Sequence, residues 1–113
     1  NPGSSSVAVS EKPFAVVDEV ADAERFLRDR PDRAGRFLPW FNVDKLGKYR
    51  WCYERIVPEE RRRFAALMHG EYGRAQAAGE LDMTLFAPED RALVEELLKC
   101  GAEEFAAAHL DRF

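Results

Sequence analysis

After residue 10 the chain has one hydroxyl side chain of the Ser/Thr type, Thr84, so a serine or threonine nucleophile with a supporting base has almost no position to occupy. Histidine is equally sparse. His69 and His109, with Cys52 and Cys100, make four potential zinc ligands, but no two stand at the short spacing that preorganises a metal site. No metal, haem or other cofactor is expected. The two cysteines are 48 positions apart on different helices and read as reduced core residues. No uninterrupted apolar run approaches the roughly 18 residues of a membrane span, and no basic segment leads into an apolar leader. The chain starts at Asn1, which leaves the compartment open, with the cytoplasm as the working expectation.

Cations are few in kind and do not dominate. Thirteen arginines and four lysines meet 21 acids for a net charge of −4, which speaks against a uniformly basic nucleic-acid footprint. At 113 residues, 46% hydrophobic and 34% charged, the composition fits one compact domain with a single core.

Helical periodicity dominates what is present. Residues 1–12 are Ser/Gly/Pro-rich at their start and read as a flexible lead-in to a helical domain over 13–113. Val16, Val20, Ala23 and Leu27 recur at helical spacing, which predicts a helix from about Phe14 to Arg30. Pro31 to Asn42 mixes breakers with large apolar residues, which predicts a short helical turn over 33–38 and then an aromatic corner around Pro39. Asp44 then reads as the N-cap of a helix whose apolar side is Leu46, Tyr49, Cys52, Tyr53 and Ile56. Trp51 points away from that side, toward Lys48 and Arg55; either another element, most simply the Phe37–Phe41 corner, covers it from outside, or it is a contact site for a partner flanked by cations.

Pro58 with Glu59 and Glu60, and Pro88 with Glu89 and Asp90, are two helix starts of one kind: proline lacks only an amide that would be unpaired there, and the acids oppose the positive helix end. The first of these helices buries Phe64, Leu67, Met68, Tyr72 and Ala75, with Gly79 as its cap and Gly70 and Gly73 as points of weakness. Glu71 interrupts its apolar stripe and reads as standing at a helix break, with a restart after His69, rather than as a buried general base; the alternative is that Gly70 and Gly73 let a neighbour's backbone come close. Residues 80–87 read as an extended connector pinned by Leu81, Met83, Leu85 and Phe86. The last helix carries Leu93, Val94, Leu97, Cys100, Gly101, Phe105 and Ala108 on one broad face, with a close neighbour expected at Gly101.

The expected architecture is an all-α bundle of four main helices plus a short helical turn. No stretch reaches the specificity of a catalytic motif, so the reading is a non-enzymatic module that binds another protein through Arg33, Arg36, Trp40, Phe41, Lys48, Trp51 and Arg55. Two alternatives stand beside it. Arg61, Arg62 and Arg63 after a sharp proline turn give the outline of a helix-turn-helix nucleic-acid binder, opposed by Glu59 and Glu60 at the helix end that would meet phosphate. A small ligand- or metal-holding bundle is the other. No membrane contact is expected, and the partner's identity and the oligomeric state stay open.

Overall fold

A computed structural model describes residues 2–109, with side chains from Ala15 to His109. The described chain is all-helical: α1 Pro2–Arg28, α2 Pro31–Arg55, α3 Pro58–Ala77, a single 3-10 turn Met83–Leu85, α4 Pro88–Cys100 and α5 Ala102–Ala108. Five helices and a 3-10 turn therefore replace the expected four helices and a turn at 33–38. The expected lead-in lies within α1, whose side chains before Ala15 are outside the described set.

The largest departure from expectation is α2. Pro39 sits inside a helix that runs from Pro31 to Arg55, so there is no separate turn, no corner and no N-cap at Asp44. Without its amide, Pro39 leaves the Gly35 carbonyl short of the donor that a regular helix would supply, and an interior proline costs about 3 kcal/mol. Burial offsets that cost. Leu38, Asn42, Lys45, Leu46, Tyr49, Cys52 and Tyr53 form one continuous buried face that only an unbroken helix can present, and a buried leucine alone contributes about 1.5–3 kcal/mol.

The core is a set of interlocked rings. Phe64 on α3 packs edge-on against Tyr49, with ring centroids 5.5 Å apart, and against Tyr53 at 6.5 Å. Tyr53 in turn meets Phe105 of α5 at 6.5 Å. Each buried phenol has an acceptor: Tyr72 donates to the Asn42 carbonyl at 2.8 Å and Tyr53 to the His109 carbonyl at 2.6 Å. Leu46, Met68, Val94 and Leu97 fill the space around the rings.

Arginine closes the α2–α3 corner. Arg61 is only 6% exposed, and its Nε and Nη2 donate to the carbonyls of Tyr53 and Glu54, at 3.1 and 3.4 Å. These are last-turn carbonyls of α2, which have no partner within their own helix.

Helix α3 does not break at Glu71; it runs unbroken through Gly70 and Gly73 to Ala77. At its end Glu80 N–H donates to the Ala75 carbonyl at 2.8 Å and Gly79 N–H to that of Gln76 at 3.2 Å, a Schellman motif around Gly79 at φ 72°. The connector that follows is partly helical rather than extended. Asp82 accepts from the Thr84 amide, Phe86 is buried, and Arg91 Nε holds the Met83 carbonyl at 3.0 Å.

Gly101 has no closely packed neighbour. At φ +85° it separates α4 from α5, and this turn leaves Cys100 exposed instead of on a core-facing arc. The two glycines make opposite predictions. Gly73 has nothing within 4 Å of an added Cβ and sits mid-helix, so Gly73→Ala is expected to stabilise by about 0.5–1 kcal/mol. Gly101→Ala forces an L side chain into a left-handed conformation and should cost about 1–2 kcal/mol; urea unfolding of the two variants reads both signs.

Candidate functional site

With α2 continuous, the residues expected to contact a partner fall into register on one rod. At 100° per residue Arg33, Arg36, Trp40, Lys48, Trp51 and Arg55 lie within an arc of about 120°, on the side away from the core. All six are exposed, Trp40 by 55% and Trp51 by 42%. Their indoles are roughly 16 Å apart along the axis. Phe37, also exposed, lies between Arg33 and Trp40 on the same side.

The cations lie on the rings. The Arg55 guanidinium stands 4.4 Å from the Trp51 ring centroid while donating to the Trp51 carbonyl at 3.1 Å, and Arg36 stands 5.5 Å from the Phe37 ring. Such stacking leaves the outer guanidinium edge open for a carboxylate or carbonyl. Phe41 differs from the others. It is half-buried and packs against the core edge, so it belongs to a floor and not to the exposed stripe.

That floor is a groove of about 640 Å³ between α1 and α2, lined by Val16, Val20 and Ala23 on one side and Phe41, Gly47 and Trp51 on the other, with Glu19, Asp44 and Lys48 completing its lining. Trp51 is therefore not covered by the Phe37–Phe41 segment; it borders the groove across from α1.

A second, polar cavity of about 300 Å³ opens where α1, α2 and α3 meet. Lys45 lies at its centre with its side chain 2% exposed, Nζ 3.1 Å from Glu71 Oε1 and 3.5 Å from Glu24 Oε1. Tyr49 donates to Glu71 at 2.8–2.9 Å. Arg28 grips Glu80 through both Nη atoms, at 2.9 and 2.6 Å, and Glu24 through Nε at 2.9 Å, while Asn42 Nδ2 donates to the Glu80 carbonyl at 2.8 Å. The Schellman turn at Gly79 places Glu80 for both contacts. Sequence reading assigned neither Lys45 nor Arg61 to the interior, because lysine and arginine are almost never buried unless paired, and the partners come from other helices. One signal was present: Lys45 lies one position before Leu46 and four before Tyr49, within the flank of the apolar face.

Burial first, and then the Glu71 charge, pushes the Tyr49 phenol far up, and burial pushes the Cys52 thiol up to about 11, so neither is an activated nucleophile. His69 is half-buried on α3, and His109 pairs through Nε2 with Glu96 beside the Phe105 ring. Among the described residues no three His, Cys, Asp or Glu side chains gather as a metal would need.

Hydrogen bonding from Arg28 holds the Glu80 carboxyl below its ordinary 4.5. A depressed carboxylate pKa adds stability that is present above 4.5 and is lost as pH falls through the lower folded value. Glu80→Gln should therefore flatten the acid limb of the stability–pH curve below pH 4.5 and leave its neutral side nearly parallel to the wild type. For the buried pair, Glu71→Ala should cost about 3 kcal/mol because it strips a buried ammonium of an acceptor. Adding Lys45→Met to Glu71→Ala should recover part of that loss, with a coupling energy of about 1–3 kcal/mol in a double-mutant cycle. Comparison with protein-family models, curated proteins and solved structures finds no match to this chain.

Proposed function

We propose that the chain is a non-enzymatic helical module that binds another protein through the outward stripe of α2, with Trp40 and Trp51 as anchors and Arg33, Arg36, Lys48 and Arg55 around them. One observation carries the reading: two tryptophans stay open to solvent on a single rigid helix, one with a guanidinium on its ring and an apolar groove at its side. Tryptophan and arginine are the residue types that most often dominate interface energies, and a helix holds them without the ordering cost of a loop. The groove supplies depth for an apolar side chain of the partner.

The nucleic-acid reading has less behind it. Arg61, central to the helix-turn-helix outline, is occupied as the cap of α2, while Arg62 and Arg63 face Glu103 and Glu60 at 3.4 Å. The ligand-holding reading would use the polar cavity, whose acids Glu24, Glu71 and Glu80 already accept from Arg28, Lys45 and Tyr49.

Affinity capture with the full chain, compared with Trp51→Ala and Trp40→Ala, tests the proposal. Each substitution is expected to weaken capture of a bound protein by about 30-fold, while changing unfolding stability by less than about 1 kcal/mol. Phe26→Ala, which removes an exposed ring from α1, should leave capture intact. Capture that survives loss of both tryptophans rules the stripe out. Binding to a random duplex that collapses between low and moderate salt would favour nucleic acid instead.

A further inference from the structure

We infer that the partner of the α2 stripe is an acidic amphipathic α-helix that lies along α2, seats one large apolar side chain over Gly47 and places carboxylates on Arg36, Lys48 and Arg55. The inference rests on the proposed binding function and names the class of partner. Spacing argues for a helix. Phe37, Trp40, Asp44, Gly47 and Trp51 follow one another at three, four, three and four residues, and all five are exposed. At 100° per residue they fall within an arc of about 80° along the middle of the stripe. That is the seam one helix offers to another.

Gly47 gives the seam its depth. It stands mid-helix, where glycine is weaker than alanine, yet nothing lies within 4 Å of a Cβ added there, so no packing within the described chain requires it. What the missing side chain leaves is space on the outside: Gly47 lines the groove of about 640 Å³ together with Val20, Ala23 and Trp51. A leucine- or phenylalanine-sized side chain from a partner helix fills that space.

Charge sets the sign of the partner. The chain carries 21 acids against 17 cations, yet Arg36, Lys48 and Arg55 have no carboxylate partner among the described residues, and the two guanidiniums rest on the Phe37 and Trp51 rings. Arg36 and Arg55 are roughly 28 Å apart along the axis. The carboxylates therefore belong near the two ends of the partner helix, with a neutral or basic residue facing Asp44 between them. A second copy of the chain fails on the same ground: α2 paired antiparallel with Trp40 against Trp51 would set Arg36 against Arg55. A flat anionic surface, lipid or nucleic acid, would meet the exposed Asp44 and Glu54 and leave the groove empty.

Trp40 and Trp51 are the chain's two tryptophans, so its fluorescence reads this seam directly. The probe is a tryptophan-free synthetic helix of about 22 residues, with leucines at three- and four-residue spacing and glutamates at both ends. Its control is the same helix with lysines in place of the glutamates. The glutamate helix is expected to shift the emission to the blue and to bind about tenfold more tightly than the lysine helix, and Arg36→Glu with Arg55→Glu should reverse that preference. Gly47→Leu should raise the urea midpoint while weakening binding of the glutamate helix about tenfold, opposite signs that a merely structural glycine would not give. Emission indifferent to the glutamate helix, equal binding of the two helices, or a blue shift with phosphatidylserine vesicles or a random duplex in its place would overturn the acidic-helix partner. Binding by Gly47→Leu as tight as by the wild type would overturn the seat over Gly47. Where protein capture is lost with Trp51→Ala but the glutamate helix does not bind, the module stands and its partner class falls; capture indifferent to both tryptophans removes the module itself.

Discussion

Tyr49 and Tyr53 stand one turn apart on α2 and share the edge-on contact of Phe64. Because each phenol carries a polar tip, the rings can be buried only where an acceptor waits, and the two acceptors lie on different elements: Glu71 in α3 and the His109 carbonyl beyond α5. The rings therefore set both distance and register among α2, α3 and α5. Offset and edge-on aromatic pairs contribute about 0.5–1.5 kcal/mol beyond their burial. More important here is that they cannot slide: a shift of one residue would take Tyr49 off Glu71 and Tyr53 off Phe105 together.

That inner contact explains why α2 tolerates Pro39. The proline weakens one turn near the start of the helix, whereas the ring contacts form along its second half, and Leu38 and Asn42 continue the same buried face across the weak point. Local propensity votes for a break, and tertiary burial outvotes it. Once the rod is continuous, its outer side comes with it. Trp40 and Trp51, whose spacing would be arbitrary on two separate segments, become fixed neighbours along one axis.

Much of this was legible in residue order and much was not. The apolar side from Leu46 to Ile56, the proline-acid starts at Pro58 and Pro88, the Gly79 cap and the outward direction of Trp51 all follow from helical spacing and capping chemistry, which are local. The misreadings share a different cause. The continuity of 31–55, the burial of Lys45 and Arg61, the integrity of α3 through Glu71 and the division at Gly101 each depend on a partner distant in the chain or on a backbone angle that no periodicity reports. Glu71 shows the difference well: an acid in an apolar stripe looks like a break until Lys45 and Tyr49 arrive from α2 to meet it.

The placement of charge completes the picture. A buried ion pair is weak evidence for stability, since desolvation consumes most of the Coulomb gain, yet an unpaired member would be costly. Lys45 between Glu24 and Glu71 therefore acts mainly against wrong arrangements: a packing of α2 on α3 that took Glu71 away would leave the ammonium with Glu24 alone. The ionic layer thus selects a register for α1, whereas the aromatic layer holds α2, α3 and α5 together, with the Tyr49 phenol tied to the Glu71 carboxylate. The two layers meet on α2, the helix that also carries the outward tryptophans.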